Sequence, residues 1–367
     1  MAGSQTADFL IIGGGVIGLR SAIEAKRRFP DASVVVLEKE ERCGLHASGR
    51  NSGVLHAGFY YAEDSHKARL TAEGNQRLGR HCDEHGLRIN RCGKLVVTKD
   101  ASEFDGLAEL LRRGKKNGVE LSEISAKEAN EIEPRAKTYE CALFSPTTAT
   151  VDPVEVVDSF LEEARNAGVE VLTGAAYSGA TNGKVETTQG TLSVGYVINA
   201  AGLYADRIAR SFGFGERYRI LPLKGMYLHS ESGSYPLNTN IYPVPPVKLP
   251  VLGVHFTVMV DGGVTIGPTA MPALWREQYR RLDGFNLKDF IEIVRLEGYM
   301  FLFDRAGFRG TAMHELPKYY KRRLVGLAAA LATDVRVQDF KRWGPAGIRA
   351  QLVDIKEHRL VQDFCVE

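Results

Sequence analysis

The chain has 367 residues, 44% of them hydrophobic and 25% charged, with 47 basic against 45 acidic side chains and a formal net charge of +2. That length allows two packed lobes, and the near balance of charge gives no clustered cationic surface for nucleic acid. Five scattered cysteines with no CxxC spacing argue against a disulfide framework or structural zinc, and no apolar run approaches the ~18 residues of a bilayer span. With no basic or Arg-rich leader in Met1–Ala7, the expected location is cytoplasmic, peripheral membrane contact being left open.

Phe9–Ile12 is a short continuous apolar run, the pattern of a buried parallel strand. It leads into Gly13-Gly14-Gly15-Val16-Ile17-Gly18, after which Leu19, Ala22, Ile23 and Ala25 recur on one helical face until Phe29-Pro30-Asp31 stops the helix. Val34–Leu37 reads as a second buried strand, ending at Glu38. Gly13 permits the tight turn, Gly15 lets the backbone reach a pyrophosphate, and Gly18 lets helix and strand pack closely. The N–H groups and positive dipole end at Val16 and Ile17 suit phosphate. Glu38 stands where a carboxylate accepts bonds from the adenosine ribose hydroxyls, which disfavours a 2′-phosphate and hence NADP.

From Lys39 to Gly58 the chain has small residues and hydroxyls where an NAD enzyme would enter another helix. A loop of this composition can wrap a second phosphate and a ribityl chain. Asp152–Gly168 predicts a helix with Val154, Val157, Phe160, Leu161 and Ala164 on one face, followed by a strand at Val169–Leu172. Lys184–Thr188 and Thr191–Tyr196 predict a hairpin, and Tyr196–Gly202 a buried strand ending in small residues. Strand character follows at Tyr218–His229, Asn240–Pro243, Gly253–Met259 and Gly263–Ile266, with Asp261-Gly262-Gly263 as a turn. Residues 286–342 read as mostly helical, with Lys318–Arg323 as a solvated cationic face, and Arg359–Val366 as a last strand. The expected division is a cofactor lobe of residues 1–85, 150–215 and 343–367, and a second lobe of 86–149 and 216–342.

The glycine motif, Glu38 and Ser48–Gly58 together resemble the FAD-dependent D-amino-acid oxidase-like superfamily. Within it, Asn51–Tyr61 is similar to the L-2-hydroxyglutarate dehydrogenase/oxidase branch, as are Cys92–Val97, Ile241–Pro245, Leu252–Thr257, Gly267–Ala270 and Gly344–Gln351. The resemblance implies an α/β fold with an α+β second lobe: a Rossmann-like FAD-binding domain and an antiparallel-sheet substrate domain, in the glutathione-reductase/D-amino-acid-oxidase-like architecture. It implies FAD as cofactor, held by Gly13, Gly15, Val16, Ile17, Gly18, Glu38 and Lys39 in the first part of the chain. His46, Ser48, Arg50, Asn51, Ser52 and Gly53 would follow, with Ala175, Ala200, Ala201, Gly202 and Gly347 approaching from further on.

Flavin oxidation of an alcohol needs a base for the hydroxyl proton and cations for the acid groups, and histidine suits the first task because its pKa lies near neutrality. By resemblance, His56 and His255 belong near flavin and substrate: His255 is favoured as the substrate-facing acid/base, and His56 as a flavin-face residue that could instead be the base. Arg349, with its planar fork, is the expected carboxylate clamp, Lys224 a holder of the second acid group, and Tyr242 a hydrogen-bond donor. The implied reaction is oxidation of a hydroxy dicarboxylate, L-2-hydroxyglutarate, to 2-oxoglutarate. The electron acceptor stays open between oxygen, a quinone and a protein. Two rivals stand beside it: an amine or glycerol 3-phosphate oxidising flavoenzyme, and a non-catalytic flavin-binding protein. The latter is suggested by the chain ending at Glu367, where the resemblance implies a further segment that packs against the flavin.

Overall fold

The computed structural model describes residues 5–231, 233–245 and 253–367, so Leu252, the start of one quoted motif, lies outside the described residues. The first apolar run becomes the strand Gln5–Ile12, paired in parallel with Val34–Leu37 on one side and with Gly190–Asn199 on the other. Helix Val16–Arg28 connects the first two and buries Gly18, Leu19, Ala22, Ile23 and Ala25. Its C-cap is Phe29, because Pro30 disfavours helical geometry in the residue before it. Glu170–Leu172 extends the sheet beyond Val34–Leu37. Helix Pro153–Asn166, capped by the Asp152 carboxylate on the N–H groups of Val154 and Glu155, shares its apolar cluster with the first helix. Val157, Phe160 and Ala164 face that cluster as expected, whereas Val154 in the first turn is 36% exposed.

On the other edge, Gly190–Asn199 forms an antiparallel meander with Lys184–Thr187 and Tyr177–Thr181. The predicted hairpin arm and the predicted buried strand are therefore one ten-residue strand. From Leu37 to His66 the chain has no helix and pairs only at Val54–Leu55, which leaves the polar loop lying along the sheet's carboxyl end. That is the side where ligands of open α/β sheets bind.

The second large sheet has eight strands, in the order Phe340–Trp343, Leu228–Ser230, Val264–Gly267, His255–Val258, Asn240–Pro243, Lys94–Val97, Cys141–Ser145 and Ser122–Ser125. It is antiparallel except at its centre, where Asn240–Pro243 runs parallel to Lys94–Val97. A parallel join needs a long crossover, and the intervening chain supplies it. The predicted strand Tyr218–His229 breaks at Met226 and Tyr227 into Tyr218–Gly225 and Leu228–Ser230, which enter different sheets. Tyr218–Gly225 pairs along its eight residues with Gly347–Asp354, joining segments the sequence reading divided between two lobes.

Helices Leu287–Leu302, Phe308–Glu315 and Lys321–Ala328 fill the predicted helical region. Within it Lys318 is not on a solvated face. It is 1% exposed and ion-paired with Glu315, as a buried cation requires. The predicted terminal strand reduces to Arg359–Leu360. Among the described residues no helix is long and apolar enough to cross a membrane.

Candidate active site

The turn after the first strand is built by close backbone approach. Gly13 has φ +117°, and a Cβ there would lie 2.4 Å from the Ala200 carbonyl oxygen. A Cβ on Gly18 would stand 1.8 Å from the Gly13 oxygen, so helix and turn can meet only with glycine at position 18. Gly15 is the helix N-cap and offers no side-chain acceptor. The Val16 N–H instead donates to Ser48 Oγ at 3.1 Å, which ties the far loop to the helix start. Ile17, in the same turn, is 68% exposed. Apart from the Val16 N–H, the first turn receives no side-chain cap from Gly15, and the helix points its positive end toward Ser48 and the loop.

Glu38 ends the neighbouring strand and is 7% exposed. Its two carboxylate oxygens accept one backbone N–H each, Oε2 from Gly14 at 2.9 Å and Oε1 from Glu40 at 3.0 Å. No cation pairs with it among the described residues, which leaves lone pairs for ribose hydroxyls. Ala200, Ala201 and Gly202 close the groove opposite, Ala200 and Ala201 lying against Gly13. Ala175 is 1% exposed and gives its N–H to the Glu38 carbonyl, so it supports the strand end from the core. These groups fit a dinucleotide.

The loop that follows is braced largely by itself and by a segment near residue 278. Asn51 Nδ2 donates to the carbonyls of Ala47 and Ser48, while its Oδ1 accepts the Gly53 N–H. Gly53 has φ +69°, and a Cβ there would lie 2.2 Å from the Val151 oxygen. Lys39 pairs with Glu40 and Glu277, His46 bonds Glu40 and the Tyr279 hydroxyl, and the Arg50 guanidinium lies 4.5 Å over the Tyr279 ring. The side chains of Lys39, His46 and Arg50 are thus spent on protein partners, and what they offer a cofactor is backbone. A Cβ on Gly347 would lie 2.1 Å from the Arg50 oxygen, which brings the strand Gly347–Asp354 against this loop.

Gly347 and Arg349 share one face of that strand, since alternate residues point the same way. Arg349 therefore emerges on the side of the loop, where Tyr61 and Lys67 act on it electrostatically. No carboxylate among the described residues forms an ion pair with it. Lys224 is different. It stands opposite Ile348 in the pairing, where Leu223 stands opposite Arg349, so it projects from the other face. Its Nζ donates to the Gln278 carbonyl at 3.0 Å, so the strand pairing does not bring Lys224 beside Arg349.

The remaining candidates meet in the eight-stranded sheet. Tyr242 and His255 stack with ring centroids 3.7 Å apart, and His56 meets the Tyr242 ring edge-on at 6.4 Å. His255 is 3% exposed, its Nδ1 lies 2.9 Å from the Gly253 carbonyl, and burial pushes its pKa down to about 3. It is a neutral ring under a tyrosine, a poor place from which to take a substrate proton. His56 is less covered, and burial and the nearby Lys94 hold it neutral as well.

Sequence reasoning missed three members of this cluster. Lys94 Nζ is 3.2 Å from His56 Nδ1 and 4.1 Å over the Tyr242 ring. The Tyr60 hydroxyl is buried without a hydrogen-bond partner. Tyr227 bonds Ser52, linking the loop to the Tyr242 side. A lone lysine in the apolar run Leu95–Val97 was the available signal for the first. The tyrosines carried none.

A glycine turn and strand-end carboxylate for a dinucleotide, with a neutral histidine cluster and a free guanidinium beyond it, define a flavin-dependent oxidoreductase. The chain belongs to the FAD dependent oxidoreductase family, whose match spans residues 8–350. It is 36% identical over 392 residues to the mitochondrial L-2-hydroxyglutarate dehydrogenase of Nematostella vectensis, covering 98% of this chain and 82% of that protein. The L-2-hydroxyglutarate dehydrogenase of Escherichia coli K12 is 35% identical over 366 residues, covering 97% and 85%. Among solved structures, the FAD-bound L-alpha-glycerophosphate oxidase of Mycoplasma pneumoniae superposes with a TM-score of 0.75 at 21% identity, covering 98% of this chain and 87% of that one. Glycine oxidase from Geobacillus kaustophilus gives 0.70 at 20%, covering 95% and 84%. The α/β architecture and FAD as cofactor follow.

Proposed function

We propose that this chain oxidises L-2-hydroxyglutarate to 2-oxoglutarate. The observation that carries the substrate class is Arg349, a guanidinium without a carboxylate partner on the face that meets the cofactor loop. The particular acid is supported by relatives of that name aligned over nearly the whole chain. Bound along Gly13–Glu38 and the loop to Gly53, FAD supplies the hydride-accepting ring. Arg349 binds the substrate carboxylate through its fork and so fixes which enantiomer presents its C2 hydrogen. The buried Tyr60 hydroxyl is a further donor for the bound acid. His56 takes the hydroxyl proton, because it is neutral, less buried than His255 and free at Nε2. Tyr242 and His255 hold the wall behind it.

The test is the visible spectrum under anaerobic conditions, before and after the acid is added. Bleaching of the flavin band by the L isomer and not the D isomer is the expected result. Bleaching by glycine or glycerol 3-phosphate instead would replace the substrate. A small-molecule acid and a separate electron acceptor complete turnover, and reoxidation rates with oxygen, a quinone and an electron-transfer protein tell the acceptors apart.

A further inference from the structure

Lys94 is fully buried at the centre of the eight-stranded sheet, yet no reading of the reaction so far gives it a task. Its surroundings are unusual for an amine. From the segment after the cofactor loop come His56 Nδ1 at 3.2 Å and the rings of Tyr60 and Phe59 at 5.1 and 5.6 Å. The parallel neighbour strand contributes the Tyr242 ring at 4.1 Å, with His255 stacked behind it. On the other side Ser145 stands opposite Lys94 and bonds Thr148, and Cys92 lies just before it in the chain. Among the described residues no carboxylate pairs with it, and burial pulls its pKa down to about 7. Among the described residues, the polar side chain within hydrogen-bond distance of it is His56, the base proposed for the reaction.

We propose that Lys94 is a positioning residue that selects the tautomer of His56 and receives the proton that His56 takes up, an inference that rests on the reading of His56 as base. As a neutral amine, Nζ accepts the Nδ1–H, and Nε2 then carries the lone pair that faces the substrate hydroxyl. When the O–H proton binds Nε2, the Nδ1–H bond breaks and an Nζ–H bond forms. The lysine ends as an ammonium, and the histidine ends neutral with its hydrogen on Nε2. The hydrogen on C2 would leave separately as hydride, with both electrons, which is the chemistry bound FAD would supply, and the alcohol carbon would become a carbonyl. As an ammonium at the outset, Lys94 instead donates to Nδ1, Nε2 keeps its hydrogen, and no base is available. The rate of substrate oxidation therefore rises with pH as Lys94 loses its proton.

Lys94→Met keeps the length and apolar bulk of the stem and removes the nitrogen. Its kcat should fall about 100- to 1000-fold, the size of a lost acid–base group, with KM unchanged within ~3-fold. The rise in rate as Lys94 deprotonates should vanish. Lys94→Arg restores a cation that cannot accept a proton, so it should stay as slow, whereas a merely structural lysine would be rescued by it. A second reading needs no turnover: nitrogen NMR of histidine-labelled protein, with the His56 signal identified by its loss in His56→Asn. In the wild type the hydrogen should move from Nε2 to Nδ1 between about pH 6 and 9. A single tautomer throughout that range overturns the proposal even if Lys94→Met does not fold. The failures are distinguishable. Full kcat in His56→Asn removes the base beneath the proposal, while an inactive His56→Asn beside a fully active Lys94→Met removes Lys94 alone.

Discussion

The two ends of the cofactor groove are made of different material. At the phosphate end, from Gly13 to Glu38, backbone does the binding: two glycines bring main chain within contact of main chain, and a carboxylate is held by two backbone N–H groups. At the far end, backbone serves as scaffold, and the chemistry comes from side chains drawn out of water, Lys94, Tyr242 and His255 being almost wholly buried. The first arrangement tolerates almost no added atom. In the second, burial holds His56, His255 and Lys94 away from their ordinary protonation, and solution conditions act on it directly.

The largest effect that tests this contrast is steric. Gly13→Ala adds a Cβ against the Ala200 oxygen at a positive φ, combining backbone strain with overpacking. Together these should cost about 2–5 kcal/mol, and the protein should emerge colourless, read from urea midpoints and flavin absorbance per protein. A stable yellow variant would show that the turn has room the contacts deny.

Next comes pH. His255 has a folded pKa of about 3, below its unfolded value, so the unfolded chain takes the proton first. Its stabilising contribution is full above the unfolded pKa and is lost as pH falls from about 6.5 towards the folded value, at ~1.4 kcal/mol per unit. Urea unfolding at descending pH should show a shallower loss in His255→Gln than in the wild type; equal slopes would place the acid sensitivity elsewhere.

Arg349→Ala should remove a charged, forked contact of about 1.5–3 kcal/mol, raising KM for the acid ~10- to 100-fold. An unchanged KM in folded yellow protein would take Arg349 out of the site. The smallest expected effect is at Lys224→Met, which loses one bond to the Gln278 carbonyl. It should lower stability by about 1 kcal/mol and leave kcat and KM within twofold. A large rise in KM would place Lys224 in the site.

The same contrast governs what could be read from the chain. The phosphate end is contiguous, and its strand, glycines, helix and acid follow one another in the order of their physical tasks, so Gly13, Gly18 and Glu38 were legible together. The far end is assembled from His56, Lys94, Tyr227, Tyr242 and His255, residues from five segments far apart in the chain, three of them on strands of the eight-stranded sheet and two in loops. Each alone looks like an ordinary strand or loop residue. Resemblance selected two histidines, and nothing local shows that His255 lies beneath Tyr242. The placing of Lys224 is hidden for a related reason: a register of one residue sends it to the opposite face from Arg349.

The pairing of Tyr218–Gly225 with Gly347–Asp354 also bears on how the protein is made. During synthesis the first of these strands leaves the ribosome long before its partner exists, with residues 226–346 still to come. Until then its mate is the short strand Met271–Pro272, which covers Leu223 and Lys224 on one edge, while the eight-residue edge that Gly347–Asp354 will cover stays open to pairing with another chain. Assembly of this sheet is a late and slow event, set by closure of a long loop. The yield of native enzyme should therefore depend on chaperone supply and growth temperature more than its final stability would suggest.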